Sequence, residues 1–437
     1  MYRTLHICGP KPLQTLCSLF DKKSHLGNWT QAVYVRSLRP TDNVVTLGME
    51  DNLSALTRQC PNLRYFNVAC PLMKAYRLVV GSLRFYCSKS LTSVDWTIPV
   101  DSQARIISAI ATMRNLVSLK LELTGPLYDC GRTRAGYGCL VNVELPFLYE
   151  LVLRGSIQDF SEEVPSWELP SLRTLVLDFG SVDCDLPDIL DVLSEHGPQL
   201  TTLDINCRIP FNVPEILELC SSLNTFCFNL DWRFDGVLTK TPHRHIERVG
   251  MHGLHYAFGV GVVGALATNL RFIEATVLRN RNDLNFAALN KYNFPNLKVL
   301  RVLDPAILRG LNASNGPAKG GPAHCYERWE KWWDTSARMR VKLEDCTGAP
   351  LGTLPEDEEG EDDEEMEECE EYTEYDDEYY EYDDNGGQMS TSTSISANSN
   401  SRTLQGRVND TSTHGMTMEN PTTSGSTERP SSLVSVS

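Results

Sequence analysis

A short frame with apolar residues at its first, fourth and sixth positions recurs along this chain, most plainly in Leu200-Thr201-Thr202-Leu203-Asp204-Ile205. The first apolar residues of successive copies are Leu63, Leu91, Leu116, Leu148, Leu172, Leu200, Leu223, Ile246, Leu270 and Leu297. They lie 28, 25, 32, 24, 28, 23, 23, 24 and 27 residues apart, 26 on average. Alternation over so few residues is a strand signal, and each interval leaves room for one helix or turn to carry the chain back to the next strand.

A unit of this size cannot bury its apolar face until neighbours stack on it, and a period of roughly 20–29 residues is that of leucine-rich repeats. The expected fold class is therefore α/β: a leucine-rich-repeat solenoid of about ten to twelve coils, with strands lining a concave side. In the commonest repeats the ninth position is an Asn or Cys that ladders to backbone between coils. Here it holds Pro71, Pro99, Thr124, Ser156, Gly180, Arg208, Asp231, Leu254, Leu278 and Pro305, which predicts an irregular horseshoe.

The spacing divides the chain into an N-terminal cap with degenerate repeats (1–62), repeats proper (63–305) and a C-terminal cap (306–352). Thr4 to Ile7 and Ala32 to Val35 read as opening strands, with Leu13, Leu16, Leu19 and Phe20 at helical spacing between them. Leu53, Leu56 and Cys60 form the next helical stripe, which Pro61 stops. In the clearest unit, Leu186, Ile189, Leu190 and Leu193 form a helix face; Gly197 is expected to close it in a left-handed cap and Pro198 to prevent its continuation. Asn212 is placed to cap the helix that Pro214 opens. Trp329, Trp332 and Trp333 belong on a closing helix as capping core, and Val341 and Leu343 alternate in a final strand.

Beyond residue 352 the composition changes. Residues 353–384 form an acidic segment and 385–437 a Ser, Thr and Asn-rich tail; neither holds enough apolar surface to offset its ordering entropy, so both are expected to be disordered. Residues 356–384 hold 20 Asp and Glu and no Lys or Arg. Outside them 40 Lys and Arg face the remaining 37 Asp and Glu, a net charge of +3, against -17 for the whole chain. Nothing in that balance points to a nucleic-acid or anionic-membrane surface.

The 14 cysteines include no close CxxC pair and read as reduced thiols, with Cys60 and Cys220 as small apolar residues on inward helix faces. The start carries no basic-then-apolar leader and no apolar run approaches ~18 residues, so the expected localisation is intracellular, cytoplasmic or nuclear, and the sequons at Asn28, Asn52, Asn312 and Asn409 are chance matches.

Two patterns look like chemistry. Gly259-Val260-Gly261-Val262-Val263-Gly264, with Asp283 about 20 residues on, matches the dinucleotide fingerprint. That fingerprint needs a strand immediately before it, whereas the strand around Val249 and Met251 ends seven or eight residues earlier. His243, His245, His252 and His255 cluster without an acid or thiol delivered from a second element, which a tetrahedral metal site requires. GxSxG, GxxxxGK[ST] and HExxH are missing. No catalytic residue, cofactor or metal is assigned, and the chain reads as a non-enzyme.

The order Arg3-Thr4-Leu5-His6-Ile7, the entry through Cys60-Pro61-Asn62-Leu63, and Trp329, Trp332 and Trp333 with Leu343-Glu344-Asp345-Cys346-Thr347-Gly348 resemble the fungal F-box-like proteins with leucine-rich repeats. The resemblance covers about residues 1–352. It implies a protein-binding scaffold like the substrate-recognition part of an F-box-type ubiquitin ligase adaptor, whose partner is a protein to be ubiquitinated. An F-box, which docks the Skp adaptor, would precede Arg3, and this chain is expected to engage Skp only if one is supplied upstream. Repeats with an acidic tail also resemble the acidic nuclear phosphoproteins that bind histones and, less closely, the Ran GTPase-activating proteins, both of which have more regular repeats.

If the first, fourth and sixth positions face the core, strand alternation sends the third, fifth and seventh to the concave side. Those positions include Lys120, Glu122, Arg154, Asp178, Asp204, Asn206, Asn229, Arg248, His252, Glu274 and Arg301. Their mixed charge suits a protein epitope better than nucleic acid. The chain is expected to be a monomer with neither a nucleic-acid nor a membrane partner.

Overall fold

The computed structural model describes residues 3–36, 49–69, 76–99, 103–124, 141–179, 187–207, 212–230, 242–254, 272–304 and 323–350. The Gly259–Gly264 pattern, the side chain of Trp329 and residues 353–437 lie outside that set.

Twelve parallel strands form one open sheet in strict chain order. They are β1 (Thr4–Ile7), β2 (Ala32–Val35), β3 (Tyr65–Val68), β4 (Ser93–Pro99), β5 (Ser118–Thr124), β6 (Glu150–Gly155), β7 (Thr174–Asp178), β8 (Thr202–Asn206), β9 (Thr225–Asn229), β10 (Arg248–His252), β11 (Val299–Val302) and β12 (Lys342–Glu344). This is the leucine-rich-repeat solenoid that the 26-residue period predicts.

Register is in phase from coil to coil. The fourth residue of each frame pairs with the fourth of the next, as in Leu119 with Leu151, Leu175 with Leu203 and Val249 with Leu300. Backbone hydrogen bonds impose this phase. The carbonyl of each frame's second residue accepts from two successive amides of the following coil: Arg64 from Thr92 and Ser93, both at 2.9 Å, and Arg173 from Thr201 and Thr202, again both at 2.9 Å.

First, fourth and sixth residues are buried on one face in a continuous apolar core, against helices α1 (Pro10–Lys22), α2 (His25–Trp29), α3 (Met49–Gln59), α4 (Tyr76–Ser82), α5 (Gln103–Ile110), α6 (Gln158–Glu163), α7 (Pro187–His196) and α8 (Val213–Leu219). The two predicted helical stripes fall on α1 and α3 and supply Leu13, Phe20, Leu53 and Leu56 to that core. The eight cysteines whose side chains are described are free. Cys60, Cys87 and Cys220 are buried, and burial pushes each thiol up to about 12.

Three local expectations are corrected. The copy at Leu270 is not a strand: helix α9 occupies Phe272–Ala288, and β10 pairs directly with β11. Apolar residues at the first and fourth positions fit a helical turn as well as an alternating strand, so the frame alone does not discriminate. Gly197 does not adopt a left-handed backbone; the chain continues through a 3-10 turn over Gly197–Gln199. A Cβ there would stand 2.9 Å from Cys220 Sγ and from the Leu219 carbonyl, so close packing against the next coil explains the glycine. Asn212 stands at the N-cap of α8 but makes no side-chain cap; its carbonyl accepts from Glu215 and Ile216.

The ladder missing from the ninth position is present elsewhere. One residue before the lead of a frame, Asn62 donates to the Asn28 carbonyl (2.8 Å), Asn115 to Lys89 (2.7 Å) and Asn296 to Arg244 (2.8 Å). Ser90 and Ser171 do the same to Pro61 (2.8 Å) and Pro146 (2.6 Å). Each acceptor belongs to the preceding coil, two residues before its lead, so a turn that would expose unpaired carbonyls is satisfied by its neighbour.

The closing helix α10 (Ala323–Arg338) is tied to α9 by a small cluster. Trp332 is buried and stacks on Phe286 at 4.2 Å between ring centroids, with 4° between planes. Asp283 accepts from Trp332 Nε1 (3.1 Å) and Arg328 Nε (2.8 Å). Trp332 is thus capping core, and the acid that the dinucleotide pattern would assign to a ribose bridges two helices.

Candidate protein-binding face

The face of the sheet opposite the core is built by the third, fifth and seventh residues of each frame. In-phase pairing turns them into rows across the strands. The seventh row runs Thr97, Glu122, Arg154, Asp178, Asn206 over β4–β8, and Asn229, His252 over β9 and β10. The fifth row runs Asp95, Lys120, Val152, Val176, Asp204, Cys227, Gly250, Arg301 and Glu344 over β4–β12.

Many of these polar side chains engage one another. Lys120 Nζ lies 3.0 Å from Glu150 Oε1, and Asn206 donates to Asp178 (3.1 Å). His252 Nε2 meets Asp204 Oδ1 at 2.8 Å, and Arg301 Nη2 donates to Glu344 Oε2 at 2.7 Å. Thr97 donates to Glu122 (3.1 Å), and Asn67 to Asp95 (2.7 Å). Burial pushes the Asp95 carboxyl above its ordinary range, opposed by the nearby Lys120 and Arg154 cations. These pairs hold a row of charges in defined positions, which lowers the ordering cost a partner would face on docking.

Ten of the eleven residues expected on this face lie on it, and Glu274 does not. Glu274 falls within α9, so the strand geometry that assigned it fails; its side chain is outside the described set. Asn229 is on the face but buried, packed where a side chain on Gly253 (φ 76°) would collide with its amide, so it braces the surface and does not present itself. Glu122, Arg154 and Arg248 are exposed, whereas Lys120, Asp178, Asp204, Asn206, His252 and Arg301 are half-buried.

Asn67, Asp95, Glu150, Lys342 and Glu344 share this face and were not anticipated, although the same counting from Leu63, Leu91 and Leu148, and from the Val341 and Leu343 alternation, reaches them. Small residues flank Asp204 in the fifth row, with Val152 and Cys227 buried and Gly250 leaving room for the Cys227 thiol.

The histidines do not converge. His243 is buried with Nε2 3.2 Å from the Cys220 carbonyl, His252 is held by Asp204, His245 lies on an exposed turn, and His255 is outside the described residues. Among the described residues no three His, Cys, Asp or Glu side chains are grouped to hold a metal ion, and no helix is long and apolar enough to cross a membrane. Compared with models of protein families and with curated proteins, the sequence matches none, and the functional reading therefore rests on the fold and on the geometry of this face.

Proposed function

We propose that the chain is a non-enzymatic protein-binding leucine-rich-repeat scaffold that captures its partner on the polar face of the sheet. The observation that supports this is the seventh row, where Glu122, Arg154 and Asp178 stand side by side on β5–β7 with alternating charge. A surface of both signs, fixed in register and interrupted by the small residues of the fifth row, suits recognition of one complementary protein epitope. The resemblance to F-box-like repeat proteins gives this capture a role, presentation of a substrate to a ubiquitin ligase, with Skp engaged only through an F-box supplied upstream. The acidic run of residues 356–384 favours a second reading, capture of the basic surface of core histones.

Crosslinking mass spectrometry with the full-length chain as bait tests the reading. Arg154→Glu with Arg248→Glu should abolish the partner's crosslinks to the face while leaving thermal unfolding unchanged, since both side chains are exposed. Crosslinks confined to the helical side would refute it, and core histones as the captured proteins would favour the second reading.

A further inference from the structure

At the end of the polar face the charge stops alternating. A cleft of about 620 Å³ spans β9 to β12 and is lined by Arg248, Lys298, Arg301, Arg340 and Lys342 against a single carboxylate, Glu344. Two of the cations are already engaged: Lys298 with Glu247 (2.7 Å), and Arg301 with Glu344 (2.7 Å). Even so, the Arg301 Nε–H is buried without a hydrogen-bond partner among the described residues. The side chains of Arg248, Arg340 and Lys342 are exposed and make no hydrogen bond or ion pair with the described residues. Apart from Glu344, the carboxylates of the face, Asp95, Glu122, Glu150, Asp178 and Asp204, lie on β4–β8, so the face is polarised along the sheet.

Arg340 is held there at a conformational cost. Its φ is 55°, and it is the one non-glycine residue with positive φ among the described residues. It occupies the position after the α10 C-cap at which glycine is usual: its amide donates to the Ala337 carbonyl and the Val341 amide to the Ser336 carbonyl, each at 2.9 Å, the paired bonds of a Schellman motif. A side chain accepted where glycine would be less strained is a reason to look for what that side chain does.

The width of the cleft narrows the choice of ligand. The cations stand on or beside three strands, β10 to β12, which are two steps of ~4.8 Å apart, so they are spread over about 10 Å, too far for one small anion to satisfy and close to the length of about three extended residues. The volume is in the range of roughly 300–1,000 Å³ that ordered ligands fill. A nucleic-acid strand would need a continuing basic track and stacking rings, whereas β8, the strand next to β9, carries Asp204 on this face and the cleft is lined by no aromatic residue.

We propose that this cleft binds an acidic peptide segment of a partner protein, its carboxylates received by Arg248, Arg340 and Lys342, with the Arg301–Glu344 pair as the fixed floor. The proposal rests on the reading of the polar face as a protein-binding surface and names the chemistry of what docks at its β9–β12 end.

Fluorescence anisotropy with labelled hexaglutamate and the full-length chain tests it. Saturable binding is expected at low salt, weakening as salt rises. Arg340→Gly suits the left-handed backbone, so the protein should melt no lower than the parent; combined with Lys342→Thr it should weaken hexaglutamate binding about tenfold. Unchanged affinity in that double variant would overturn the cleft assignment. Tighter binding of an oligothymidylate of equal length, or full displacement of the peptide by equimolar inorganic phosphate, would overturn the choice of an acidic peptide. A chain that binds hexaglutamate through Arg340 and Lys342 but captures no partner retains the cleft and loses the scaffold reading. A chain that captures its partner while the double variant still binds hexaglutamate loses the cleft alone.

Discussion

His252 Nε2 lies 2.8 Å from Asp204 Oδ1, although the two residues stand on β10 and β8 with β9 between them. The contact passes over Cys227, which pairs with Asp204 in register, and over the small fifth row that continues to Gly250. Because the pair clips three coils together near the surface, a double-mutant cycle with Asp204→Asn and His252→Gln in urea should give a coupling of about 0.5–1 kcal/mol, the scale of a partly exposed pair. Zero coupling would show that the two side chains hold no fixed geometry in solution.

The turn ladder makes a separate stability prediction. Asn62→Ala, Asn115→Ala and Asn296→Ala each remove a donor to the preceding coil, and each should cost about 0.5–1.5 kcal/mol. The three sites are at least two coils apart, so the triple variant should lose close to the sum. Equilibrium denaturation checks this, and a triple variant as stable as the parent would mean that water replaces the ladder without loss.

His243 predicts a pH dependence. Burial is the main cause that holds its imidazole below the usual histidine range, and with Nε2 facing the Cys220 carbonyl the buried Nδ1 would have to take the second proton without a described partner. A group whose pKa is lower in the folded chain binds more protons when unfolded, so its contribution is present above the unfolded value and is lost as pH falls through the folded one. Thermal stability should drop between about pH 7 and pH 5, and His243→Gln should remove part of that drop. An identical pH profile in the variant would contradict the assignment.

Cysteine chemistry should separate by position. Cys60, Cys87 and Cys220 are buried with thiols pushed up to about 12, while Cys8 is exposed. Iodoacetamide at pH 8 should label Cys8 in the native protein and the other three only after denaturation, as peptide mapping would show.

Leu203 and Ile205 are fully buried on β8. Replacing both with Asp should cost at least ~2–5 kcal/mol for each lost aliphatic side chain and open the flanking coils first, because each coil contacts chiefly its neighbours. Hydrogen exchange would locate the opening; uniform loss of protection from β1 to β12 would indicate a single cooperative unit.

Most of the sheet is legible in the sequence because two signals coincide: an alternating frame and, before Leu63, Leu148, Leu172, Leu200 and Leu297, a proline two residues upstream that forbids a continuing helix. Leu270 lacks that stop, and from Phe272 onward the chain is helix. The commonest repeats place the turn ladder at the ninth position, whereas here Asn and Ser just before the lead residue do the same job from the other end of the strand. On the polar face, counting places side chains but does not say which are covered. Asn229 is buried against Gly253, which turns through a positive φ, and Arg340 reaches the cleft from the left-handed position after the α10 C-cap, where glycine is usual. Both depend on backbone conformation at a single residue, which composition and period do not carry.

The shared carbonyl that joins successive coils makes the array editable in whole units. Tyr149 presents its carbonyl to the amides of Arg173 and Thr174, and Arg173 presents the same group to Thr201 and Thr202. Excising residues 172–199, one 28-residue unit, would bring Thr201 and Thr202 to the vacated carbonyl with side chains of the same pattern behind them. Lineages of such a chain can lengthen or shorten by one coil without redesigning the joint, while a loss of one or two residues inside a strand would throw every later rung out of step.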